Sequence, residues 1–230
     1  MSVLPARPGA LGLDDPTVSS VLARLYADAR QGDQRAMAHA FAEAAKLAAP
    51  PTPAETSALC ADASLPVHPS TGQFLYTLAR MLRPRTVVEF GTSFGTSAIQ
   101  LAAALRDNGA GHLTGTELDG SKVAKARANL AEAGLADLVT VLAGDARDTL
   151  ATVAGPVDLV LLDGWKELYL PVLTVLEPLL RPGTVIVSDN LPMLPQEFLA
   201  WIRDPARGYV SVELPLGDGV ELTTWTGDAG

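Results

Sequence analysis

Residues 87–101 read VVEFGTSFGTSAIQL. An apolar run closes around Glu89, a turn bearing Gly91 and Gly95 comes next, and a helical pattern opens with Thr96 and Ser97. This is a buried strand, a tight loop and a helix start, the unit that holds a nucleotide-like ligand at a strand's carboxyl end. Glycine at 91 and 95 lets backbone approach a ligand where a Cβ would collide. The free N–H groups and hydroxyls at the helix entry can hold a carboxylate or phosphate. An ordinary strand–turn–helix with Ser/Thr caps has the same appearance, so the choice rests on the acids further along the chain.

The rhythm from residue 72 onward is alternating. Helices are expected over 72–82, 95–106, 121–133, 167–180 (with Pro171 in its first turn, and Pro178) and 195–203. Strands are expected over 85–90, 112–118, 139–143, 157–163 and 184–189. The runs 209–214 and 220–225 flank LGDG and read as an antiparallel hairpin. The pattern implies an α/β fold, a Rossmann-like doubly wound, mostly parallel sheet with a C-terminal antiparallel hairpin. Residues 1–13 read as a loose tail. The segment 17–48 is helical by its apolar spacing, with a break expected at Gln31-Gly32-Asp33, and Thr52 or Thr56 can cap a short helix running to about 63. Residues 1–66 thus form a tail and helical N-terminal cap, and 67–230 the main domain.

A formal net charge of −9, from 17 basic and 26 acidic residues, argues against a nucleic-acid face or an anionic-membrane surface. The single Cys60 leaves no internal disulfide and no cysteine-rich zinc site, and His39, His68 and His112 form no metal-binding spacing. The opening residues carry no apolar leader and no run approaches a membrane span, so a cytoplasmic protein is expected.

Acids recur where strands end. Glu117, in TGTELD, lies where a carboxylate accepts both hydroxyls of a ribose. The spacing GxxxG places Ser93 where a dinucleotide site needs its middle glycine, so a ligand without a phosphate is favoured. S-adenosylmethionine is such a ligand. Asp145, in AGDARDTL, can accept from an adenine amino group, cap the next helix, or do both. Asp163 ends LLD, and Asp189 and Asn190 end IVSDN. On neighbouring strands, two carboxylates and an amide oxygen converge, and three oxygens suit Mg²⁺, which keeps water or substrate in its remaining positions. Lys166, in the turn after Asp163, is placed to act as a base.

The segment from about residue 67 to 225 resembles the class I S-adenosylmethionine-dependent O-methyltransferases of the catechol and caffeoyl-CoA type. VHPSTGQF and VVEFGTSFGTSA are similar to the family's opening segments, and DLVLLDGWKELYLPVLTVLEPLLRPGTVIVSDN resembles the animal catechol enzyme closely. The resemblance implies that Val67, Glu89, Gly91, Ser93 and Ser97 surround the methionine part of the cofactor, with Thr92 beside them. It implies Glu117 and Leu118 at the ribose, Gly144, Asp145 and Ala146 at the adenine, and Trp165 packed on it. Asp163, Asp189 and Asn190 fall on the metal ligands, Asp163 also bordering the cofactor, and Lys166 on the catalytic base. A late acid that orients the catechol falls nearest Glu213. The implied cofactors are S-adenosylmethionine and Mg²⁺ or another divalent cation. The implied partner is a small aromatic hydroxyl acceptor, with a homodimer allowed. Two other readings stay open: a metal-independent or non-catechol methyltransferase, and a non-catalytic cofactor-binding scaffold, which the intact Asp163, Lys166, Asp189 and Asn190 speak against.

Overall fold

The central strands are apolar on both sides, which forces helices onto both faces of the sheet. In β4 (Val157–Leu162), Leu159 and Leu161 join the core on one face while Val160 and Leu162 join the core on the other. β1 (Thr86–Phe90) divides the same way, with Val87 on the first face and Val88 and Phe90 on the second. Two hydrophobic cores result, one on each face.

The computed structural model describes residues 12–227. The expected loose tail, 1–13, therefore lies outside this range except for its last two residues, which enter a single 3-10 turn, Gly12–Asp14. Helix α1 (Pro16–Ala44) comes next, capped by the Asp15 carboxylate, which accepts from the amides of Thr17 and Val18. The break expected at 31–33 is absent. A single glycine costs a helix only about 1 kcal/mol, and Val18, Val21, Leu22 and Leu25 anchor α1 in the first core. Helix α2 (Pro53–Leu59) carries a capping box between Thr52 and Glu55, so Thr52 is the cap and the helix ends before 63. Helix α3 (Pro69–Leu82) starts three residues before the expected 72, with His68 accepting from the Ser70 amide.

From β1 the chain passes through α4 (Thr96–Asn108) to β2 (His112–Glu117), then α5 (Gly120–Glu132) to β3 (Val139–Ala143). The short α6 (Ala146–Thr149) leads to β4. The helix expected over 167–180 resolves into α7 (Tyr169–Leu176) between two 3-10 turns, the second holding Pro178, which cannot donate into a regular helix. β5 (Leu180–Asp189) begins four residues earlier than expected. Helix α8 (Gln196–Ile202) precedes the hairpin of β6 (Tyr209–Leu214) and β7 (Val220–Trp225).

The sheet order is β3-β2-β1-β4-β5-β7-β6. β1 to β5 are parallel, and β7 joins β5 antiparallel with β6 on the edge. The fold is the Rossmann-like doubly wound sheet with a closing hairpin. The chain runs outward from β1 through β2 to β3, then returns to β4 on the other side of β1. The crevice at this reversal, at the carboxyl ends of β1 and β4, is where open α/β sheets bind ligands. Among the described residues, no helix is long and apolar enough to cross a membrane.

The double burial has a measurable consequence. Leu161→Ala should lower the unfolding free energy by about 2–5 kcal/mol in urea titration, as expected for a fully buried leucine. Val212, on the edge strand and 52% exposed, should tolerate alanine at a cost of about 0.5 kcal/mol. Equal costs at the two sites would contradict the placement of the core.

Candidate active site

A cavity of about 360 Å³ opens at the carboxyl ends of the parallel strands. The loop after β1 forms its floor. Gly91 has φ +95°, and a Cβ there would lie 2.5 Å from the Asp163 carbonyl oxygen, so the turn and β4 can meet only at a glycine. Ser93 also adopts a left-handed backbone, φ +47°. This aims its amide at Glu117 Oε2, 2.9 Å away, and its hydroxyl at the Ser64 carbonyl, 2.5 Å away. Glu117 Oε1 accepts from the Asp119 amide at 2.9 Å. The carboxylate is thus held by one N–H on each oxygen, at the end of β2 and against the cavity.

Glu89 lies beneath this floor, fully buried. Its carboxyl accepts from the hydroxyls of Ser97 at 2.5 Å and Thr92 at 2.8 Å. Gly115 on β2 makes the room, because a Cβ there would collide with Thr92 Oγ1. Burial pushes the Glu89 carboxyl up to about 7 against the pull of the two hydroxyls, with Glu117 adding to the rise.

At the far end, Asp163, Lys166, Asp189 and Asn190 line the cavity together. Asn190 turns off β5 with φ +62°, a conformation asparagine tolerates. Lys166 Nζ is 3.6 Å from Asp163 Oδ1 and donates to the Tyr169 hydroxyl at 2.7 Å. Tyr169 in turn donates to the Leu162 carbonyl at 2.8 Å and shares the Asp189 carbonyl at 3.2 Å. Burial raises the pKa of both Asp163 and Asp189. Lys166 opposes the rise at each, while Asp189 adds to it at Asp163 and Asp218 adds to it at Asp189. Asp189 Oδ1 is buried with no hydrogen-bond partner among the described residues. Asp163, Asp189 and Asn190 offer oxygen donors of the kind that could hold a hard divalent cation.

Most of the residues singled out in the sequence come together here. Gly91, Ser93, Glu117, Leu118, Gly144, Asp145, Ala146, Trp165 and the four residues of the acidic end line the cavity. Val67, Glu89, Thr92 and Ser97 are buried residues outside the lining. Asp145 caps α6 through the Arg147 amide at 2.9 Å and pairs with the Arg147 side chain at 2.6 Å. Glu213 is not in the cavity. It pairs with Arg203 at 2.6 Å, while Asp218 in the hairpin turn lines the cavity instead. Sequence reasoning also missed Lys122 of α5, Met37 of α1 and Leu65, all lining residues. The GDG turn was a visible signal for Asp218. Met37 and Lys122 carry none, since each reaches the cavity through helix packing.

A crevice at the reversal of a Rossmann-like sheet, with Glu117 closing β2 beside it, suits a nucleoside-like ligand. Comparison with known proteins agrees. A family model described as a methyltransferase domain matches residues 88–191. Catechol O-methyltransferase of Mycobacterium tuberculosis is 41% identical over 145 residues, covering 60% of this chain and 65% of that protein. Catechol O-methyltransferase of Sus scrofa is 36% identical over 145 residues, covering 59% of this chain and 76% of its counterpart. The O-methyltransferase TomG from Streptomyces achromogenes, solved in complex with SAM, superposes with a TM-score of 0.63 at 29% identity, covering 85% of this chain and 99% of that one. The chain belongs to the class I S-adenosylmethionine-dependent O-methyltransferase family that includes catechol O-methyltransferase. The match spans 62% of the length of the catechol O-methyltransferase of Niastella koreensis and 65% of that of Mycobacterium tuberculosis, just under two thirds of each.

The buried Glu89 makes a stability prediction. Its folded pKa of about 7 lies above the ordinary 4.5, so its favourable contribution is present below pH 4.5 and lost as pH rises through 7, about 3 kcal/mol in all. Glu89→Gln, neutral throughout, should gain stability relative to the parent between pH 5 and pH 8 in urea unfolding of the ligand-free protein. Parallel pH profiles would show that Glu89 stays ionised in the fold.

Proposed function

We propose that this chain moves the methyl group of S-adenosylmethionine to one hydroxyl of a small catechol-like acceptor, with a divalent cation at the acidic end of the cavity. The observation that carries the reading is the gathering of Asp163, Lys166, Asp189 and Asn190 at one end of a cavity whose other end holds Glu117. The Sus scrofa relative bears the name catechol O-methyltransferase, which supports the choice of acceptor.

Each residue has a physical task. Glu117, fixed by two backbone amides, accepts from the ribose hydroxyls. Trp165, partly buried against the core, offers an indole face to the adenine. Asp163, Asp189 and Asn190 would hold the cation. A divalent ion held there would supply Lewis-acid chemistry to an acceptor oxygen. A free phenol has a pKa of about 10, so its ionisation at neutral pH needs help. Lys166 takes the proton from the acceptor hydroxyl at its Nζ, and the Tyr169 hydroxyl fixes where that nitrogen stands. The acceptor oxygen then bonds to the methyl carbon as the carbon–sulfur bond breaks and S-adenosylhomocysteine leaves, and holding both reactants in one cavity supplies much of the acceleration.

Lys166→Ala should lower kcat on a weakly acidic catechol by roughly 10²–10⁴-fold, the range for a positioned base. Affinity for S-adenosylhomocysteine should stay within about twofold of the parent, since Lys166 stands at the acidic end. The loss should shrink for catechols already ionised at the assay pH. A variant with near-parental kcat would remove Lys166 from the reaction.

A further inference from the structure

At the Glu117 end of the cavity one ammonium has no protein partner. Lys122 sits in the first turn of α5, is only 4% exposed, and lines the cavity. Among the described residues its Nζ makes no hydrogen bond and no ion pair within 4.0 Å. It lies 5.9 Å from the centroid of the Phe94 ring. Its neighbour one turn on, Lys125, behaves as a surface lysine does, covering that ring at 4.3 Å and pairing with Asp62 at 3.8 Å. A lysine on a helix ordinarily carries its charge to water. Lys122 instead turns toward the cavity, where a ligand can meet its charge.

The groups that face it are acidic: Glu117, Asp119 and Asp33, with the thiol of Cys60. These favour the ammonium, while burial opposes it. Three carboxylates around one lysine leave the local field negative, so a phosphate is not the ligand this site admits. A neutral diol is suited to it. Each ribose hydroxyl is both a donor and an acceptor, and a carboxylate satisfies only the donor. Glu117 already takes the amides of Ser93 and Asp119, and its remaining lone pairs can receive the ribose protons. The ribose oxygens then need a donor, and Lys122 has three with none engaged.

We propose that Lys122 is a cofactor-binding residue whose ammonium donates to the ribose hydroxyl oxygens of S-adenosylmethionine while Glu117 accepts their protons. The inference rests on the reading of the cavity as an S-adenosylmethionine site. Lys122 and Glu117 then form a matched pair, each meeting the half of the diol that the other cannot.

The test compares Lys122→Met with the parent in calorimetric titrations of S-adenosylhomocysteine and of its 2′,3′-dideoxy analogue. Methionine keeps the length and apolar stem of the side chain. The variant should bind S-adenosylhomocysteine roughly 10–100-fold more weakly, the worth of a charge-assisted hydrogen bond. It should bind the dideoxy analogue within about twofold of the parent. An unchanged Kd for S-adenosylhomocysteine, or an equal loss for both ligands, would overturn the proposal and make Lys122 a buried counter-ion. A crystal structure of the unsubstituted protein with S-adenosylhomocysteine reads the contact without relying on the variant's folding. Nζ should lie about 3 Å from O2′ or O3′, and a separation beyond hydrogen-bond reach would overturn the assignment. A parent that binds neither ligand would instead refute the methyltransferase reading itself.

Discussion

Four carboxyl groups brought to the carboxyl edge of one parallel sheet are the constraint around which this structure is arranged. Glu89 belongs to β1, Glu117 ends β2, Asp163 comes directly after β4 and Asp189 ends β5. Burial raises the pKa of Glu89, Asp163 and Asp189. Each is accommodated differently. Two hydroxyls hold Glu89. Two backbone amides hold Glu117. Asp163 has Lys166 within 3.6 Å. Asp189 keeps one buried oxygen without a partner. The gradient runs from satisfied to unsatisfied along the crevice, and the proposed chemistry sits at the unsatisfied end.

The surrounding backbone is shaped by that arrangement. Ser93 and Leu65 have positive φ, of 47° and 45°, and both line the cavity. Strain of this kind persists only where neighbours over-determine it. Asp33 of α1 supplies part of that restraint, accepting from the amides of Ser64 at 2.8 Å and Leu65 at 2.7 Å. Ser93 grips the same segment from the other side through the Ser64 carbonyl. The N-terminal helices are therefore tied to the cavity wall as well as to the first core.

The alternation of apolar runs and helical patterns made the sheet legible from the residues alone, because strands buried on both faces leave a continuous apolar trace. The residues at strand ends were legible for the same reason: Glu117, Asp163 and Asp189 each close an apolar run. The features that escaped depended on contacts far apart in the chain. The uninterrupted α1 passes Gly32 because tertiary packing outweighs a local propensity. Lys122 looks like any helix lysine until the fold sets it on the cavity wall near Glu117, Asp119 and Asp33. Glu213 only stood nearest the late acid that the family resemblance implied; it pairs with Arg203, and the hairpin turn brings Asp218 to the cavity.

A divalent cation working on two vicinal oxygens at the acidic end of the crevice is the central claim. The most direct test measures transfer of labelled methyl from S-adenosylmethionine to a matched set of acceptors: a catechol, its monohydroxy counterpart and a hydroxycinnamate bearing two adjacent hydroxyls. Each is assayed with Mg²⁺ and with excess chelator. Transfer confined to the vicinal dihydroxy acceptors, abolished by the chelator and restored by Mg²⁺, is the predicted result. Undiminished transfer in excess chelator, or equal transfer to the monohydroxy compound, would contradict it.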